Sequence, residues 1–238
     1  MEKVADGVWL LRGDIGDSMN IYFVEEGDGV VMFDAGTKAM TKKARAAAEE
    51  LGGLKRVVLG HGHADHRGVA PAMDVPVECH PDEVADAESD AAIDSYMEIS
   101  ELPLLRARLA YPLLLRKWDG GAVAIDGTVE EGDRVGDFEV VAFPGHAHGL
   151  IGLWRQSDRV ALVSDVVYLI DSARLGKPLP PGEASVPHPA WAWDHAKAKQ
   201  SVHKLAALDP VLVGTGHAEP LADEGGLRAT LERAAEKY

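Results

Sequence analysis

The sequence predicts a single α/β domain, 1–238, whose metal-capable side chains gather at one rim of a sheet. Three observations carry this. Short apolar runs with strand character alternate with longer stretches of helical periodicity. Histidines and aspartates recur just past the carboxyl ends of those runs, where open α/β sheets collect their ligands. At 238 residues the chain is long enough to bury a substantial core without needing two domains.

In chain order, Val8–Leu11, Asn20–Val24 and Gly29–Asp34 read as three successive strands, punctuated by Gly-Asp turns at 13–14, 16–17 and 27–29. Thr37 is placed to cap a helix through about Leu51, with Met40, Ala44, Ala47, Ala48 and Leu51 on one face. Asp34 has two readings: it bonds nearby turn amides, or it holds the following histidine loop in place. Arg56–Gly60 reads as a buried strand. Pro81 can open a helix with Asp82 and Glu83 in its first turn, where negative charge suits the helix dipole.

The stretch from Pro81 to Glu101 carries eight acidic residues and no Lys or Arg, which predicts a solvated helical face without a metal role. Leu102 to Trp118 is instead rich in leucine with Arg106, Arg108, Arg116 and Lys117, is too short to span a membrane, and is interrupted by Pro112. We read about 91–118 as a helical insertion between the halves of the fold. It roofs an apolar pocket, packs on the sheet or forms a homodimer contact.

Strands are expected again at Val123–Ile125, Phe138–Phe143, Ile151–Trp154 and Val160–Val163. Asp171 to Trp193 holds five of the 13 prolines, together with Trp191 and Trp193, and predicts a long stiff loop. Those tryptophans either wall a pocket or pin the loop. Asp194 caps a helix to about Leu208, Val211–Val213 is the last strand, and Leu227, Leu231, Ala235 and Tyr238 give the closing helix one apolar face. His80, His188, His195 and His203 are read as structural or surface residues.

The net charge of −15, with a pI near 5.0, argues against nucleic acid and against an anionic membrane, because either partner needs a basic face. The charge itself identifies no partner, and a small-molecule substrate is the expected one. The N-terminus lacks the pattern of a secretory signal and no apolar run approaches about 20 residues, so a cytoplasmic location is expected. Cys79 is the only cysteine, which rules out an internal disulfide, and it reads as a small packed residue.

The chemistry concentrates in His61-Gly62-His63-Ala64-Asp65-His66, directly after the strand ending at Gly60. A loop leaving a strand end can turn several of these side chains toward one point. They form a nitrogen and oxygen ligand set suited to zinc, iron or manganese. His146, Asp165 and His217 follow three later strands, so His61, His63, Asp65, His66, His146, Asp165 and His217 could meet at one rim in numbers sufficient for two ions.

In order and spacing, His61-x-His63-x-Asp65-His66, Pro144-Gly145-His146, Asp165 and Gly214-x-Gly216-His217 resemble the metallo-β-lactamase superfamily. The resemblance implies an αβ/βα four-layer sandwich of two mixed β-sheets flanked by helices, with the site at one edge between the sheets. It further implies two divalent metal ions, zinc being the expected one and iron or manganese the alternatives. His61, His63 and His146 would hold one ion and Asp65, His66 and His217 the other; Asp165 would bridge them, and Asp34 would support the histidine loop. Two such charges would ionise a shared water near neutral pH, giving a hydroxide that attacks an ester, lactone, thioester or amide carbonyl. Asp65, or the metal pair, would deliver the proton to the leaving group.

Tyr168, three residues after Asp165, resembles a tyrosine of the lactonase branch that contacts the substrate oxygen; its other reading is a half-buried strand tyrosine. The sequence departs from the family pattern at Ala147-His148-Gly149, at Ser164, where glycine is usual, and at Arg67-Gly68-Val69. His148 is either an extra pocket group or a neighbour of the site. No cluster for the carboxylates of glutathione is visible. Two other readings stand beside hydrolysis: a mononuclear iron enzyme acting on a persulfide with oxygen, and a non-catalytic metal-dependent binding protein.

Overall fold

The computed structural model describes residues 1–14, 16 and 18–238. An antiparallel meander opens the chain: β1 (Glu2–Ala5), β2 (Val8–Gly13), β3 (Met19–Glu26) and β4 (Gly29–Phe33). A crossover through α1 (Thr41–Glu50) then lays β5 (Leu54–Val58) parallel to β4, and β6 (Val77–Cys79) and β7 (Gly127–Thr128) extend the parallel side. These seven strands stand in sequence order. The short α2 (Val84–Ala87) and the longer α3 (Leu105–Trp118) lie between β6 and β7.

The second sheet is built from β8 (Arg134–Val135), β9 (Phe138–Ala142), β10 (Ile151–Arg155) and β11 (Val160–Ser164). A small hairpin, β12 (Ile170–Asp171) with β13 (Lys177–Pro178), stands apart from both sheets. After it, α4 (His195–Leu208) returns the chain to β14 (Leu212–Thr215), parallel to β11, with β15 (Leu221–Ala222) at its edge and α5 (Arg228–Ala235) outside.

The strands read as continuous apolar runs because both faces of each sheet are covered, and the period of two deals their side chains to different layers. Tyr22, Val24, Val31 and Phe33 point inward to meet Phe138, Val140, Ile151, Leu153 and Leu162 of the other sheet. Ile21, Phe23, Val30 and Met32 point outward onto Ala44, Ala47 and Ala48 of α1. Ala161, Val163 and Val213 face Val202, Leu205 and Leu231 of α4 and α5. The layers therefore run helix, sheet, sheet, helix, and each fully buried Leu or Phe of the central layer stabilises it by roughly 1.5–3 kcal/mol.

Cross-sheet hydrogen bonds tie the two sheets at one end. Asn20 Nδ2 donates to the Thr215 and Ala218 carbonyls at 2.8 and 2.7 Å, and the Tyr22 hydroxyl donates to Thr215 O at 3.0 Å. Ile151 N donates to Gly60 O at 2.9 Å. No helix among the described residues is long and apolar enough to cross a membrane.

Several local expectations change. Thr37 does not cap α1 through its side chain; its hydroxyl donates to Asp14 at 2.5 Å, a 3-10 turn follows, and the helix begins at Thr41. Asp194 does cap α4, accepting from Lys197 N at 3.0 Å. The insertion is helical only over a turn at Ile99–Glu101 and over α3, and α3 runs through Pro112 rather than stopping there. Val123–Ile125 forms no strand, and the strand pairing falls on Gly127–Thr128. Pro81 opens only a 3-10 turn leading into one turn of α2. The turn at 16–17 includes Asp17 and lies outside the described residues.

Candidate metal centre

β4, β5, β9, β11 and β14 all lead into polar residues that gather at one edge of the sandwich. Asp34, just past β4, holds a left-handed backbone conformation with φ 59°. Its Oδ1 accepts from Gly60 N at 2.8 Å and its Oδ2 faces His66 Nδ1 at 3.0 Å. Both readings of Asp34 are thus realised by one carboxylate, which bonds a turn amide and fixes an imidazole.

The structure brings all seven sequence candidates together. Ligand-capable atoms of His61, His63 and His146 lie within 4.8 Å of one another, and so do those of Asp65, His66 and His217. Asp165 sits between the groups, with Oδ1 3.3 Å from His66 Nε2 and Oδ2 3.3 Å from His217 Nε2 and 3.5 Å from His146 Nε2. Only Asp65 keeps partial exposure. The close convergence needs glycine at 216, where an added Cβ would strike the His66 ring and Asp165 Oδ1.

The donor atoms fit divalent cations. His61 Nε2 is buried without a hydrogen-bond partner, His66 Nε2 and Asp165 Oδ1 have only each other at 3.3 Å, and His63 Nδ1 and His146 Nε2 face each other at 3.1 Å. A buried polar atom left unsatisfied costs about 1–3 kcal/mol, and donors turned to one place in this way fit a shared cation. Nitrogen and carboxylate donors without thiolate suit zinc, iron or manganese; Cys79, the last residue of β6, is packed in the core.

The electrostatics differ between the two groups. Burial, reinforced by neighbouring imidazoles, holds His61 and His63 well below the usual histidine range, and burial brings His146 down to about 4. These three rings keep their lone pairs. Burial also opposes charge on His66 and His217, yet the Asp165 carboxylate beside them raises both. Asp165, despite its burial, is held well below the carboxylate range by His217 and His66.

Further contacts orient the rings. His61 Nδ1 lies 3.1 Å from Ser164 Oγ. His63 Nε2 lies 2.5 Å from the Tyr96 hydroxyl and 3.3 Å from Asp94 Oδ2. Glu83, fully buried, accepts from Gly62 N and Gly149 N, each at 2.7 Å, and so bolts the first histidine loop to the loop after His146. Burial pushes Glu83 and Asp94 up to about 7. These contacts correct the expectation of a solvated acidic face over 81–101 at Glu83 and Asp94, whereas Asp82, Glu88, Asp90, Glu98 and Glu101 are exposed as expected. Its only sequence signal was an absence of Lys and Arg, which a solvated face shares.

Above the two groups lies a cavity of about 380 Å³, with Met97, Tyr111, Leu114, Leu115, Trp118 and Trp191 among its walls. Of the two open tryptophans, Trp191 walls the cavity, whereas Trp193 is half-exposed and stacks on His148 at 4.2 Å. Tyr168 also lines the cavity, buried between the His146 and His217 rings at 5.9 and 5.7 Å. Burial keeps its hydroxyl protonated far above neutral pH, with Asp165 adding to the effect. His148 stays outside the seven, near Glu83 and Asp86. His80 and His188 cap short turns by accepting from Asp82 N and Ala190 N.

Residues 15–217 match the family model described as the metallo-beta-lactamase superfamily. The chain belongs to that superfamily. Among its relatives is "Probable metallo-hydrolase YflN" of Bacillus subtilis (strain 168), 28% identical over 216 residues, which span 85% of this chain and 81% of that protein. The fold is shared with metallo-beta-lactamase family protein TTHA1429 from Thermus thermophilus at a TM-score of 0.66 and 21% identity, covering 97% of this chain and 78% of that one. It is shared also with TTHA1623, solved in a di-iron-bound form, at a TM-score of 0.62 and 23% identity, covering 90% and 94% of the two chains.

Proposed function

We propose that this superfamily member is a metal-dependent hydrolase of small ester, lactone, thioester or amide substrates bearing an apolar group. One observation carries the reading: His61, His63 and His146 converge beside Asp65, His66 and His217, with Asp165 between them, on the floor of an apolar cavity. His61, His63 and His146 would hold one divalent ion, and Asp65, His66 and His217 a second, shared through Asp165. That the fold of TTHA1623 carries two irons supports room for a pair, and zinc is the expected occupant here. When bound, such ions supply Lewis acidity toward a carbonyl oxygen and lower the pKa of water toward neutrality.

The chain's own residues supply the remainder. Leu114, Leu115, Trp118 and Trp191 accept the apolar part of the substrate and exclude water from it. Tyr168, kept protonated, donates a hydrogen bond to the substrate oxygen as charge develops there. Asp65, the partly exposed carboxylate of the set, passes a proton to the leaving group. The walls named here carry no cluster of cations, in keeping with a small uncharged substrate and not a nucleic acid.

Elemental analysis of protein purified without added metal, followed by a panel of esters, lactones, thioesters and β-lactams, tests the proposal. Two divalent ions per chain and a turnover that chelation abolishes are expected. One iron per chain would favour oxygen chemistry on a persulfide, and bound metal with no turnover across the panel would leave a binding protein.

A further inference from the structure

Ser164 ends β11, directly before Asp165, and is fully buried. Its φ of 47° lies in the left-handed region, where a Cβ crowds the neighbouring carbonyl and glycine is the comfortable residue. No local turn requirement calls for serine there. What the side chain does instead is reach the histidines: Ser164 Oγ lies 3.1 Å from His61 Nδ1 and 3.3 Å from His66 Nδ1. Space for it comes from the facing strand end, since a Cβ on Gly60 would collide with Ser164 Cβ and Oγ at 2.7 and 2.8 Å.

We infer that Ser164 is a positioning residue which accepts an unfavourable backbone conformation in order to aim His61 and His66 at the cation site. The inference rests on the metal-site reading above. His61 Nε2 has no partner within the protein, so its Nδ1–H is free to donate to Ser164 Oγ, which fixes both the tautomer and the ring plane. His66 Nδ1 already faces Asp34 Oδ2 at 3.0 Å, and Ser164 Oγ is a second oxygen at the same ring nitrogen, which together hold the ring orientation. One hydroxyl therefore serves a ring from each of the two ligand groups.

Two variants separate the hydroxyl from the Cβ. Ser164→Ala removes the hydroxyl and keeps the strained Cβ; Ser164→Gly removes both. Metal affinity, measured by equilibrium competition with a chelator, should fall by about 10-fold or more in both variants relative to wild type. The absorption bands of the cobalt-substituted proteins should shift in both. Thermal unfolding in excess chelator should separate the variants from each other, Ser164→Gly melting about 2–4 °C above Ser164→Ala. Wild-type affinity and an unchanged cobalt spectrum in either variant would overturn the inference and leave the metal-site reading intact. A wild-type protein that binds no metal would overturn the reading itself. Equal melting of the two metal-free variants would refute the strain assigned to Ser164.

Discussion

Replacing Arg67 with methionine tests how firmly the insertion is anchored to the histidine loop. The guanidinium immediately follows His66, is fully buried, and is spent on backbone and one acid. Nη1 donates to the Asp86 carbonyl and to Ala87 O at 3.1 Å, Nη2 donates to Ala91 O at 2.9 Å, and Asp119 pairs with Nε at 3.3 Å. Methionine fills much of the same volume but leaves a largely buried carboxylate without its cation and removes one donor from each of three carbonyls, of which Asp86 O and Ala87 O keep Ser89 N and Val123 N. Breaking a buried pair on one side costs about 3–5 kcal/mol. Some of the carbonyls regain water, so we take about 4 kcal/mol as the central expectation rather than adding a penalty for each. For a chain of this size that corresponds to a fall in melting temperature of roughly 8–16 °C. Circular dichroism melts, paired with urea titrations showing a lower midpoint at unchanged slope, measure it. Arg67→Lys should fall between, because one ammonium cannot reproduce the fork. A loss below about 1 kcal/mol for the methionine variant would refute the clamp.

On the proposed two-ion reading, Asp165→Asn should lower the metal content from two ions toward one per chain, as read by elemental analysis; two retained ions with full turnover would sink its bridging role. Asp94→Leu and Tyr96→Phe each release His63 Nε2 from a partner, and chelator competition should show about 10-fold weaker binding in either. Unchanged affinity in both would mean that the insertion does not support that ring. Leu162→Ala opens a cavity between the sheets and should destabilise by about 2–5 kcal/mol in denaturant titration, with metal content in the folded fraction unchanged.

Much of the architecture was legible because each sheet is covered on both faces. Strands such as Gly29–Phe33 and Val160–Ser164 must then be apolar throughout, and an unbroken apolar run survives any uncertainty of register. The metal-capable residues were legible for a related reason: His61, His146, Asp165 and His217 follow apolar strands in sequence and in space. Glu83 and Asp94 were not. Their burial is set by Gly62 N, Gly149 N and His63, partners that chain order does not reveal, so an acidic stretch looked solvated. Pro112 likewise promised a break, yet α3 tolerates it within a continuous helix. Val123 is buried without pairing in a sheet, and apolar content alone could not separate the two.

The candidate ligands are divided between the sheets, His61, His63, Asp65 and His66 following β5 of the first and His146, Asp165 and His217 following strands of the second. A cation held by both sets is a non-covalent cross-link between the N-terminal and C-terminal halves of the chain. Its binding free energy is available only when the halves are assembled, so free metal and folding become linked variables, the folded state gaining RT ln(1 + [M]/Kd). With such a cation bound, the melting temperature of this protein would report the free metal concentration around it, and a strong chelator would act on it as a denaturant.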